Sequence, residues 1–145
     1  MKNLWAVAVA AFLLPQPVAA EEPVMKLAGM LRCAAVYQVT SKSFADGSAE
    51  KLAASRHFLQ YYMIMLAMAE NGATDDFDAK TLGTLFEAQR AAADSDAIIA
   101  RAEGRPNVFA ADIATCAAFR ERQPKLFATA DETIDVLAKA QTKAQ

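Results

Sequence analysis

The stretch Phe58-Leu59-Gln60-Tyr61-Tyr62-Met63-Ile64-Met65-Leu66-Ala67-Met68-Ala69 has one frankly polar residue, Gln60. Leu, Met and Ala without period-two alternation favour a helix over a strand. A helix apolar on every side is covered on every side, by neighbouring helices or by a partner chain. It is too short for the roughly 20 apolar residues that a membrane-crossing helix needs. The stretch therefore predicts the central helix of a soluble bundle. Ser48 is suited to cap its start, and Asn71-Gly72 to end it, which places the helix over Ala49 to Glu70.

The same reading extends to both sides. Upstream, Leu27, Leu31 and Ala34 form one apolar stripe at helical spacing and Met30, Cys33 and Tyr37 its neighbour, which predicts a first helix from Pro23 to about Thr40. Downstream, a third helix is expected from Asp78 to Glu103, with Leu82, Leu85, Phe86, Gln89 and Ala93 facing inward and Gly104 as its stop. Asn107 is the expected cap of a fourth helix from Val108 to Arg122, with Phe109, Ile113, Cys116 and Arg120 along one side. Pro124 breaks the chain before a fifth, Lys125 to Gln141, with Phe127, Ala130, Ile134, Leu137 and Ala138 inward. The fold class is all-α, a compact bundle of four to five helices.

The amino terminus reads differently. Lys2, the uncharged apolar run Leu4 to Leu14 and the small residues Val18 and Ala20 follow the three-part grammar of a secretory signal. Cleavage is expected between Ala20 and Glu21, leaving residues 21–145 as a single helical domain in the periplasm or outside the cell. At about 16 Å the apolar run is too short for roughly 30 Å of hydrocarbon, so no stable membrane anchor is expected. Losing Lys2 moves the formal net charge from −2 to one unit more negative. That balance offers no clustered basic surface for nucleic acid.

Export gives Cys33 and Cys116, the only two cysteines, an oxidising environment in which an even pair forms a disulfide. Both fall on apolar stripes identified from their neighbours, so both can point inward. Closing a loop of about 83 residues contributes about 4.5 kcal/mol in the chain-entropy model. Redox-active pairs sit close together, as in Cys-x-x-Cys. This spacing suits a staple, and without Cys-x-x-Cys-His there is no covalent haem attachment.

The remaining chemistry-bearing residues have simpler readings. His57 is the only histidine and belongs to no Glu-x-x-His pair, which leaves it a surface or an interhelical hydrogen bond. Asp75, Asp76 and Asp78 lack the calcium-loop pattern and complement a helix amino terminus, as Arg120, Arg122 and Lys125 complement a carboxyl end. Met25, Met30, Met63, Met65 and Met68 raise a weak copper-binding alternative, set against methionine as adaptable core filler. No nucleophile elbow, phosphate loop or zinc-protease motif is present, and Ser55 and His57 diverge on their helix, so no catalysis and no cofactor are expected.

In size and layout the chain is similar to small exported helical proteins with one disulfide, among them acid-stress chaperones and immunity proteins. The expectation is a non-catalytic periplasmic interaction protein of stress or immunity type. Its partner is an unidentified protein or a second copy, met through Phe58, Tyr61, Tyr62 and Met65 if the apolar helix over residues 49–71 is not covered by its own chain. The alternative from another class is a carrier of a small apolar ligand within the bundle, with Tyr37, Tyr61 and Tyr62 at the pocket wall.

Overall fold

The computed structural model describes residues 25–72 and 77–143. The signal segment, the Ala20–Glu21 junction, Pro23, Asp75 and Asp76 lie outside the described residues. Five helices follow in chain order: α1 (Leu27–Ser41), α2 (Ala49–Glu70), α3 (Ala79–Ala102), α4 (Ala110–Arg122) and α5 (Pro124–Lys143). The fold is all-helical, with no strand among the described residues.

Local capping chemistry sets most boundaries. The Ser48 hydroxyl accepts a hydrogen bond from the Lys51 amide at 3.2 Å, and the Asp78 carboxylate accepts one from the Thr81 amide at 2.7 Å. Each satisfies an amide that the first helical turn leaves unpaired. These bonds hold the Asp78 carboxyl below its ordinary pKa, which makes this acid a cap. Past α3, Gly104 is left-handed at φ 64°, and the Arg105 amide reaches back to the Ala100 carbonyl at 2.8 Å in a Schellman stop.

The start of α4 departs from expectation. Asn107 takes φ 59°, and its carbonyl accepts from the Ala110 amide at 3.0 Å, so it serves a turn. Phe109 stands at the N-cap with no side-chain cap bond, and its ring is buried. Asparagine tolerates the left-handed region better than most residues, and burial of Phe109 fixes where the helix begins.

The most enclosed helix is α1. It packs against α2, α3 and α4, and Ala34, Ala35 and Val36 have no exposed surface. Helix α2, expected to be central, packs against α1, α3 and α5 but leaves Leu52, Leu59 and Ala67 exposed along an outer strip. Each of the two helices meets three neighbours, and the small Ala34 and Ala35 side chains let those of α1 approach closely enough to leave it no exposed strip there.

Cys33 and Cys116 form a disulfide, with Cα atoms 5.7 Å apart, joining α1 to α4. Arg32 reinforces that junction: its guanidinium donates to Asp112 at 2.9 Å and to Asp96 at 3.1 Å, and lies over the Phe109 ring. Two expected inner faces shift. Leu85 on α3 is exposed while Leu82, Phe86, Ala93 and Ala100 are buried, and on α5 burial ends near Ile134, leaving Leu137 and Ala138 exposed. Among the described residues no helix covers the last turns of α5. No helix among the described residues is long and apolar enough to cross a membrane.

Candidate functional site

Tyr61 and Met65, expected on a partner surface, have no exposed area. The Tyr61 ring packs against Phe119 and Phe127, and its hydroxyl donates to the Cys116 carbonyl at 2.6 Å, which ties α2 to the disulfide. Burial raises the Tyr61 pKa and keeps the phenol neutral. Phe58 and Tyr62 are half-buried, with ring centroids 5.4 and 5.2 Å from Phe86 on α3. The chain's own helices thus cover Tyr61 and Met65 fully, and Phe58 and Tyr62 only in part.

Gln60, the polar interruption of that stretch, is buried for a reason. Its amide donates to Asp131 on α5 at 2.9 Å, and Arg56 clamps the same carboxylate at 2.6 Å and reaches Asp135 at 3.1 Å. The Gln60 carbonyl oxygen then faces His57 Nδ1 at 3.0 Å. An amide oxygen only accepts, so Nδ1 carries the proton in neutral His57. Burial, aided by the charges of Arg120 and Arg56, lowers the His57 pKa against the opposing pull of Gln60 and Asp131. Tyr37 packs 5.0 Å from the imidazole and accepts a hydrogen bond from Arg120. Arg56 and Gln60 bond across to α5 and Arg120 across to α1, while the His57 bond to Gln60 stays within α2 rather than between helices. Neither groove described below is lined by His57 or by a tyrosine.

The open space lies elsewhere. A wide groove of about 1280 Å³ runs between the carboxyl ends of α1 and α3 and the start of α4. Buried Val39, Ala100 and Phe109 line its depth, with half-buried Phe44, Val108 and Ile113 above them. Ile98 stands at its edge, 63% exposed. Its rim carries Lys42, Arg101 and Arg105. Lys42 pairs with Asp94 and Arg105 with Glu103, but Arg101 makes no side-chain hydrogen bond or ion pair among the described residues. The buried hydroxyl of Thr40, in the wall, has no hydrogen-bond partner there either.

A narrower groove of about 470 Å³ lies between the start of α1, the end of α2 and α5. Met25, Met30, Met63 and Met68 line it, with Leu126 and Thr133 on the α5 side and Glu70 at one end. Among the described residues no three His, Cys, Asp or Glu side chains are gathered as a metal site. Met63 and Met68, both on α2, line the same opening as Met25 and Met30.

The wide groove was not legible as a site, because it draws on separated segments; of the narrower one, the sequence offered only its methionines, as a weak copper-binding alternative. Comparison with known proteins gives no match: no family model fits the sequence, and no curated protein or solved structure aligns with it.

Proposed function

We propose that the protein is a non-catalytic exported binding protein that engages a protein partner through the wide groove. The observation that carries this reading is the groove itself: an open apolar cleft edged by exposed Ile98, beside an arginine with no charge partner among the described residues. Its volume exceeds the roughly 300–1,000 Å³ of ordinary small-molecule sites, and its openness suits the side chains of another chain. Apolar burial at the centre with polar groups at the rim is the usual anatomy of a protein interface. Asp94 and Glu103 offset Lys42 and Arg105, so Arg101 is the rim charge that favours a partner segment with apolar anchors and an acidic flank, and a second copy of this chain is one way to supply it.

Export follows from the amino-terminal reading and supplies the oxidising compartment that the Cys33–Cys116 bond needs. The test combines light-scattering chromatography of the protein from Glu21 onward with capture from periplasmic extract, using wild type and Ile98→Asp. A defined complex or dimer that Ile98→Asp abolishes is expected. A strict monomer that retains no partner, or capture unchanged by Ile98→Asp, overturns the reading. A small apolar molecule co-purifying in native mass spectrometry would favour the carrier alternative.

A further inference from the structure

We propose that the narrower groove is a site for a soft monovalent metal cation, Cu(I) by class, held by the thioethers of Met25, Met30, Met63 and Met68. The inference is independent of the partner reading, because it concerns a separate groove that shares no lining residue with the wide one. Beyond the signal segment the chain has five methionines, and four of them line this one opening, Met30 from a buried position, while Met65 has no exposed area and does not line it. Methionine used as filler closes a void. Here a space of about 470 Å³ remains between the side chains, so packing alone does not explain their convergence.

The Met25 thioether has a built seat. Its sulfur lies 3.9 Å from Cys33 Sγ, over the face of α1 that Gly29 leaves bare. A Cβ added at Gly29 would come within 2.9 Å of Met25 Cγ and 3.4 Å of its sulfur. Glycine in the first turn of a helix weakens it, and here its missing side chain is what lets Met25 fold back. Both cysteine sulfurs are taken by the disulfide, which leaves thioethers as the soft donors. Soft thioethers select Cu(I) over the harder divalent ions.

The surroundings suit a single positive charge. Thr129 and Thr133 spend their hydroxyl protons on helix carbonyls at 3.1 and 3.0 Å, and hold no charge. Glu70 supplies a carboxylate with no ion pair among the described residues, so attraction for a cation comes from the rim while neutral sulfurs bind it. Among the described residues the groove has no cationic lining residue to oppose it. Flexible methionine side chains can close around an ion much smaller than the opening.

The test uses Ag(I), a redox-stable monovalent ion with the same taste for thioethers, added to protein from Glu21 onward carrying methyl-labelled methionine. Saturable one-to-one shifts of the methyl signals of Met25, Met30, Met63 and Met68 are expected, with Met65 unmoved. Two variants are then compared. The double substitution Met63→Leu with Met68→Leu keeps the groove apolar and near its original volume, and should weaken Ag(I) binding at least tenfold. Gly29→Ala should weaken it too while holding or raising the melting temperature, since alanine favours the helix. Wild-type affinity in either variant, shifts that include Met65 equally, or no saturation at one equivalent would overturn the proposal.

Discussion

The stretch over residues 58–69 and the wide groove are both rich in apolar side chains, yet the fold uses them in opposite ways. Tyr61, Ile64 and Met65 disappear into the core, and the one polar residue among them, Gln60, is bonded to His57 and Asp131. Around the groove, Ile98 remains exposed, Arg101 has no charge partner among the described residues and the Thr40 hydroxyl no hydrogen-bond partner. A run of neighbouring hydrophobes is easily enclosed because one helix carries it and three others pack round it. A cleft assembled from four chain segments has no single element to cover it. Unspent surface, rather than the density of hydrophobes in the sequence, is what marks the candidate site.

The contrast can be broken most severely at Tyr61. Tyr61→Ala removes a fully buried ring and its bond to the Cys116 carbonyl, and should lower unfolding stability by about 3–5 kcal/mol in urea titration. A loss below about 1 kcal/mol would mean that the stretch is not committed to the core. Next comes the disulfide: reductant, or Cys33→Ser with Cys116→Ser, should cost about 2–4 kcal/mol. Identical melting curves with and without reductant would remove the clamp from the account.

Smaller effects sharpen the comparison on the polar seam. Asp131→Ala strips the buried Gln60 amide and Arg56 of their acceptor, and should cost about 1–3 kcal/mol by thermal or urea unfolding. His57 adds a pH signature. Its folded pKa lies below the ordinary value of 6.5, so the unfolded chain takes up the proton first. Its contribution is therefore fully present above about pH 6.5 and is lost as pH falls toward the folded value. Urea midpoints measured between pH 7 and 5 should fall more steeply in wild type than in His57→Gln; parallel profiles would show that His57 is not held neutral by its burial. Smallest of all, Ile98→Asp and Arg101→Ala should change stability by no more than about 0.5 kcal/mol, since both side chains lie on the surface.

What the sequence made legible follows the range of the forces involved. The bounds of α2 were readable because Ser48 and Asn71-Gly72 act within one turn, and the cysteine pairing because both residues sat on stripes drawn by their neighbours. The central role of α1 was hidden behind its small residues: Ala34 and Ala35 contribute little apolar area, but they let other helices close in. Leu85 and Leu137 satisfy helical spacing and still face solvent, because a stripe says only that some surface wants cover. Which part obtains it depends on where neighbouring helices end. Asn107 read as a cap from its residue type, and the buried Phe109 ring moved the helix start past it. The two grooves depend wholly on such tertiary endings: Met25 and Met68 meet only because the start of α1 lies beside the end of α2.

Site-specific photocrosslinking tests the central claim most directly, with a benzophenone side chain placed at Ile98 on the groove edge or at Leu52 on the outer strip of α2, two positions of equal exposure. After irradiation in the periplasm, one discrete adduct from position 98 is expected, absent from position 52 and lost when Arg101→Ala is added. No adduct at position 98, or the same adduct from both positions, would contradict the assignment of the wide groove as the partner site.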